Sequence, residues 1–295
     1  MSSDSGPVVD FFLVGAAKAG STTLYRILDT HPQVFMSDPK ETNFFTHREI
    51  GEHAFLGKVP AVSREVDYQR LFEAALPGQV RGEASVSYLS LPGVAQKIAR
   101  YNPAAKIVVS LRDPVMRAIS HHAMDQKLGF CRHSLEAIFH SPSRYPDHFF
   151  QYFDNGLYCA RLREYLSVFP RERLHVILFP DLVHRQQSCI ADLLSFLGVA
   201  ADQLPELNLR ENARSVPRNR VYGFLYQRAS LRSLLKRVLP AKYRAGIQAS
   251  ILSREEGPVF ERGFMQEMYD FYQDDLAELA DLLGGGPVVL AETSS

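Results

Sequence analysis

The stretch Gly15-Ala-Ala-Lys-Ala-Gly-Ser-Thr-Thr23 gathers residue types that hold an anion. Small residues such as Ala19 and Gly20 let the backbone curl until successive N–H groups face one point. A helix starting there adds the positive end of its macrodipole. Ser21, Thr22 and Thr23 bring hydroxyl donors and Lys18 brings a full charge, which suits a phosphate. The order is not that of the Walker loop Gly-x-x-x-x-Gly-Lys-Ser/Thr, because Ser21 follows the second glycine and the lysine precedes it by two. An ordinary strand-to-helix turn with a serine N-cap fits this segment equally well.

A second candidate is Arg112-Asp-Pro-Val-Met-Arg-Ala-Ile-Ser120. Arg112 can grip a phosphate bidentately, and the Ser120 hydroxyl, two helical turns along, can complete the shell. An ion pair between Arg112 and Asp113 is the plainer alternative. His121 and His122 follow at once and offer imidazole near neutral pH, although packing or surface roles suit them as well.

Elements able to present these residues are legible around them. Val9 to Gly15 reads as a buried strand and Ser21 to Thr30 as a helix, with Leu24, Ile27 and Leu28 at i, i+3 and i+4. Further strands are expected near Val80 to Glu83, over Lys106 to Leu111, and over Leu174 to Phe179. Helices are expected from Pro114 through His121 and Met124, from Leu157 to Val168, and from Ala191 to Leu197 with Gly198 as the stop. Arg112 then stands at the carboxyl end of a strand, where open α/β sheets bind ligands. Three more helices are expected around 221–238, 241–252 and 261–283. The last carries an apolar stripe (Phe264, Met268, Phe271, Leu279, Leu282) that reads as core packing. The sum is an α/β fold, a P-loop-like parallel β-sheet flanked by helices. It forms a single domain over 8–283 with a helical C-terminal part, followed by a flexible tail over 284–295.

Taken together, the two motifs resemble the sulfotransferases that use 3′-phosphoadenosine 5′-phosphosulfate (PAPS). The first matches their Lys-x-Gly-Ser/Thr-Thr loop and the second their Leu-Arg-Asp-Pro-x-x-Arg-x-x-Ser segment. Pro39-Lys-Glu-Thr-Asn-Phe-Phe45 is similar to the Lys-Glu-x-x-Phe-Phe segment of the heparan-sulfate type. Gly156 to Leu166 and Phe169 to Val176 resemble that branch's later helix and strand, so the likeness runs from about 9 to 220.

The resemblance implies that Lys18 through Thr23 hold the 5′-phosphosulfate, with Lys18 supporting charge on the bridging oxygen. Arg112 and Ser120 would take the 3′-phosphate, and Tyr158 matches a position near the nucleotide, where a core role is the alternative. Arg218, in the basic stretch Arg214 to Arg220, would close over the 3′-phosphate. Glu41 is the implied general base, with a structural ion pair to Lys40 as its alternative. Burial beside Phe44 and Phe45 would raise a carboxylate from about 4.3, which helps it deprotonate an alcohol. One departure stands out: the heparan-type Glu-Lys-Ser/Thr is here Glu83-Ala84-Ser85, without the lysine. That puts a heparan-type polysaccharide substrate in doubt.

The expected reaction is therefore sulfuryl transfer from PAPS, leaving adenosine 3′,5′-bisphosphate, to a hydroxyl or amine of a small-molecule, lipid or glycan acceptor, with no metal. A nucleotide kinase or NTPase with a deviant loop, and a non-catalytic nucleotide-binding module, are the competing readings. Composition bounds the rest. Thirty-three basic and 33 acidic residues give zero net charge, against a protein that coats nucleic acid. No run approaches the ~18 apolar residues of a membrane span, no secretory leader is read at the start, and three scattered cysteines form no framework. A soluble, cytoplasmic, bacterial member is expected. Residues 210–244 hold ten basic residues against Glu211, which reads either as a solvated helical face or as a positive rim toward the cofactor, with possible contact to a membrane surface.

Overall fold

A computed structural model describes residues 9–52, 61–201 and 260–284. Five strands, β1 (Phe11–Gly15), β2 (Val34–Met36), β3 (Val80–Ala84), β4 (Lys106–Leu111) and β5 (Leu174–Leu178), form one parallel sheet in the order β2-β3-β1-β4-β5. The helices are α1 (Ser21–Asp29), α2 (His47–Glu52), α3 (Glu65–Arg70), α4 (Ser87–Ser90), α5 (Val94–Tyr101), α6 (Pro114–Leu128), α7 (Leu135–Phe139), α8 (Pro146–Tyr152), α9 (Tyr158–Val168), α10 (Phe179–His184), α11 (Gln186–Leu197) and α12 (Arg262–Leu282).

Strand alternation splits the core in two. Phe11 and Leu13 point to one face, against Leu24, Ile27 and Leu28 of α1 and Leu193 and Leu194 of α11. Phe12 and Val14 point to the other, against Val94 and Ile98 of α5 and Leu162 and Tyr165 of α9. Both faces are covered, so β1 is buried along its whole length, as parallel sheets require. Each such Leu, Ile or Phe contributes about 1.5–3 kcal/mol. A third cluster joins Val115 and Ala118 of α6 and Tyr152 of α8 to Phe264, Met268 and Tyr272 of α12.

The expected strands and helices recur with small shifts. β2 is the strand the pattern did not reveal, since three residues are too few to show a period. β5 ends at Leu178 because Phe179-Pro180 opens α10. α11 starts five residues early, its polar first turn lacking an apolar signal. In the C-terminal stripe Phe264, Met268 and Leu279 are buried, joined by Tyr272, while Phe271 and Leu282 are half-buried. The helices expected at 221–238 and 241–252 lie outside the described residues, as does the tail beyond Gly284.

The topology creates the site. From β1 the chain crosses toward β2 and β3, and from β4 it continues toward β5. Adjacent strands whose connections leave in opposite directions open a crevice at their carboxyl ends, and here that crevice lies between β1 and β4. No helix among the described residues is long and apolar enough to cross a membrane.

Candidate active site

The loop leaving β1 is held by backbone geometry. Ala16 N–H donates to the Ser110 carbonyl at 2.7 Å, and the Ser110 hydroxyl donates to the Ala19 carbonyl at 2.5 Å, tying the loop to β4. Gly20, not a serine, is the N-cap of α1, with φ 90 and no side-chain cap. A side chain there would meet Leu182 at 2.6 Å besides straining the left-handed backbone. Ser21 is the first helical residue, so the helix N-terminus carries no capping oxygen of its own. By contrast α6 is capped by Asp113, whose carboxylate accepts Met116 N–H at 2.8 Å. Asp113 therefore serves that cap, and Pro114 occupies the first turn as expected.

Arg112 leaves the tip of β4 and turns back over the loop. Its guanidinium donates to the Lys18 carbonyl at 3.3 Å and lies 4.6 Å from the centre of the Phe179 ring. The structure thus brings Lys18, Gly20 and Arg112 together beyond the carboxyl ends of β1 and β4. Ser120 sits half-buried on α6, two turns beyond its start. Tyr158 is buried, and its hydroxyl donates to the Arg112 carbonyl at 2.8 Å. Arg218 and the basic 210–244 segment lie outside the described residues.

Lys18 itself has φ 68, in the region non-glycine residues rarely occupy. Its ammonium contacts the Met124 sulfur at 3.5 Å. Its pKa is lowered by burial first, then by Arg112 and Arg117, with Asp125 opposing. Arg117 is fully buried, and its guanidinium donates to the carbonyls of Gln151 and Tyr152 at the end of α8, where the helix dipole favours a cation. Asp125 accepts Gln151 Nε2 at 2.7 Å and the Tyr152 hydroxyl at 2.8 Å. His121 lies between Gln151, 3.1 Å from its Nε2, and Arg117, 3.4 Å from its Nδ1, and its pKa falls well below 6.5 through burial and then Arg117 and Lys18. His122 lies 2.8 Å from the His133 carbonyl through Nε2 and is 3% exposed. His122 is buried, and His121 is half-buried against α8.

On the other side of β1, Glu41 sits at the carboxyl end of β3. Its N–H donates to the Ala84 carbonyl at 2.8 Å, one carboxylate oxygen accepts Val86 N–H at 2.8 Å, and the other pairs with Lys40. Glu41 and Asn43, with φ 62 and 52, join Lys18 as the positive-φ residues other than glycine among those described. Val86 in turn borders Gly15, since a Cβ there would lie 3.2 Å from the Val86 carbonyl. Glu41 is therefore one strand over from the Lys18 loop. Below it, Glu83 is fully buried and accepts three hydroxyls: Thr42 at 2.7 Å, Ser85 at 2.5 Å and Tyr68 at 2.9 Å. The Ser85 oxygen accepts Asn43 N–H at 3.0 Å and the Tyr88 oxygen accepts Phe45 N–H at 3.3 Å, so hydroxyls link the 42–45 backbone to one carboxyl group. Burial raises the pKa of Glu83 and the hydroxyl donors hold it down. Phe44 stacks on Tyr68 at 4.2 Å and the Phe45 ring packs in the core, so both rings serve the fold.

A family model described as the sulfotransferase domain matches residues 9–221. The chain belongs to this family. The sulfotransferase of Alicyclobacillus acidocaldarius is similar with a TM-score of 0.74 and 27% identity, covering 96% of this chain and 99% of that one. Human heparan sulfate glucosamine 3-O-sulfotransferase 5 is 22% identical over 211 residues, 70% of this chain and 53% of its own. The bifunctional heparan sulfate N-deacetylase/N-sulfotransferase 1 of Caenorhabditis elegans is 26% identical over 213 residues, 70% of this chain and 24% of its own. The chain thus spans about half the length of the first of these curated relatives and about a quarter of the second.

Within the sulfotransferase fold, Ala84 is fully buried among Phe11, Leu13, Leu24 and Val108, so its position is filled by core packing. Sequence reasoning did not single out Arg117, Asp125, Gln151, Phe179 or the Glu83 network. Arg117 had a signal, being the second arginine of the Leu-Arg-Asp-Pro-x-x-Arg-x-x-Ser segment. Asp125 meets Gln151 across 26 residues of chain, Glu83 meets Thr42 across 41 and Arg112 meets Phe179 across 67, beyond the reach of any local pattern.

Proposed function

We propose that this chain is a sulfotransferase carrying the sulfuryl group of PAPS to a hydroxyl, or an amine, of a small-molecule, lipid or glycan acceptor. The observation that carries this reading is the crowding of Lys18, Arg112 and Arg117 at the sheet's switch point, beside a helix N-terminus without a side-chain cap. Lys18, Arg112 and Arg117 together form a cationic site that suits a polyanion, with Asp125 opposing the two arginines at Lys18. These residues fit the nucleotide: loop N–H groups and the Ser21 to Thr23 hydroxyls suit the 5′ end, and Arg112 with Ser120 suits the 3′-phosphate.

When bound, the phosphosulfate supplies an activated sulfuryl group and a phosphate leaving group. Lys18 lies at the loop tip to stabilise negative charge as the S–O bond lengthens, and its depressed pKa makes its ammonium a readier proton donor. Glu41 takes the proton from the acceptor, its carboxylate fixed by Lys40 and the Val86 N–H. Left-handed backbone at both residues supports these roles, because such conformations gather where a site over-determines them. Asp113, the strand-end acid a kinase would present, serves the α6 cap instead.

The three cysteines are buried and unpaired, and the Alicyclobacillus relative is bacterial, which supports a bacterial, cytoplasmic setting. The test is direct. Adenosine 3′,5′-bisphosphate is expected to raise the melting temperature without magnesium, and labelled PAPS to pass label to an acceptor in a lysate of the source cells. Stabilisation by magnesium–ATP but not by the bisphosphate would sink the proposal, and binding without transfer to any acceptor would leave a nucleotide-binding module.

A further inference from the structure

Helix α9 begins without a cap of its own. Leu157, at the N-cap, offers no side-chain oxygen, and Asp154-Asn-Gly156 forms a 3-10 turn. The missing acceptors come from α12, more than a hundred residues along. The Asp275 carboxylate receives Tyr158 N–H at 2.8 Å on one oxygen and Cys159 N–H at 3.1 Å on the other. One carboxylate thus satisfies two orphan donors at the positive end of a helix.

Tyr272 lies three residues before Asp275, on the same helical face. Its hydroxyl donates to the Phe153 carbonyl at 2.9 Å, and its ring covers Gly156 so closely that an added Cβ would lie 2.8 Å away. Two side chains of one face therefore grip the 153–159 turn. Tyr158 extends that grip into the site through its hydroxyl bond to the Arg112 carbonyl. The location matters, because the β4–β5 ladder ends at Leu111 opposite Leu178. Just past that pair, the Tyr158 hydroxyl anchors the Arg112 carbonyl. The Arg112 guanidinium donates to the Lys18 carbonyl at 3.3 Å.

We infer that Asp275 is a positioning residue of the nucleotide site: through the start of α9 and the Tyr158 hydroxyl it holds Arg112 where a 3′-phosphate binds. This rests on the sulfotransferase reading above, and it assigns a functional task to a helix beyond the 9–221 match. A recognition group must be held within about 0.5 Å by supporting bonds, and this relay is such a support.

The experiment compares adenosine 3′,5′-bisphosphate with adenosine 5′-monophosphate, which lacks the 3′-phosphate, by calorimetry on the full chain. Tyr158→Phe removes one hydroxyl, and Asp275→Asn turns an amide N–H toward a backbone N–H while keeping the side-chain shape. Each variant is expected to weaken the bisphosphate about five-fold, the scale of one misplaced charge-assisted hydrogen bond, and to leave the monophosphate within about two-fold. The double variant is expected to bind no more weakly than the worse single one, since both act along one path. A lowered melting temperature with the wild-type ratio of the two affinities would show a merely structural role and overturn the inference. Failure of the wild-type chain to prefer the bisphosphate would instead overturn the sulfotransferase reading, and this inference with it.

Discussion

The two sides of β1 are built by opposite means. Toward β4, the candidate cofactor side is made of backbone and cations: a curled loop, a helix start without a side-chain cap, and Lys18, Arg112 and Arg117 within electrostatic reach of one another. Toward β3, the Glu41 side is made of side chains, a buried carboxyl group receiving three hydroxyls that in turn fix a short segment. The first gathers cations and suits an anion. The second is already satisfied, with its polar groups paired within the protein, and serves to hold one carboxylate still. A site for a polyanionic donor calls for cations on the side that receives it.

The comparison breaks most readily at Lys18. Lys18→Ala is expected to lower turnover about 10³-fold, the scale of removing one group that stabilises developing charge. Steady-state rates with saturating PAPS measure it, and unchanged turnover would falsify its role. Glu83→Ala tests the other side: three hydroxyls lose their acceptor, and a loss of about 3 kcal/mol in unfolding free energy is expected. Denaturant titration reads that loss. Bisphosphate affinity should stay within about two-fold if the sides are separate; a larger drop would mean they are coupled.

Glu41→Gln is expected to slow transfer about 10²-fold with the bisphosphate Kd unchanged, as removal of a general base does. Retained rate in that variant places the base elsewhere. Arg112→Ala should weaken the bisphosphate about 10²-fold relative to the monophosphate, measured by titration. The smallest effect sharpens the charge contrast. Because Lys18 has a pKa below 10.5 in the fold, the unfolded chain binds the extra proton between the two values, and stability rises with pH across that window. Lys18→Met should flatten that rise and slightly increase the melting temperature of the nucleotide-free protein at neutral pH, visible by scanning calorimetry. Bound bisphosphate should reverse the ranking.

Much of the cofactor side is legible in runs of consecutive residues. β1, its loop and α1 follow one another along the chain, and Lys106 to Leu111 with Asp113-Pro114 marks its own ends. The Glu41 side is visible in the sequence only as two separate short segments, Pro39 to Phe45 and Glu83 to Ser85. That Glu83, Thr42, Ser85 and Tyr68 converge could not be read, since each bond is fixed by where β3 lies in the sheet. The alternative of a serine cap does not hold: the N-cap is Gly20, where the left-handed backbone and the approach of Leu182 leave no room for a side chain.

What the sequence determined by itself is whatever a dozen consecutive residues can encode: a strand period, a glycine loop, a proline at a helix start, an arginine at a strand end. Local dihedral preference and side-chain alternation suffice for these. Only the tertiary structure decided which distant groups meet: Asp125 and Arg117 around Lys18, a buried carboxyl under the Glu41 segment, and Asp275 at the start of α9. Those contacts follow from the order of strands and the packing of helices on them. Topology sets that order through burial on both faces of the sheet, and no run of neighbouring residues records it.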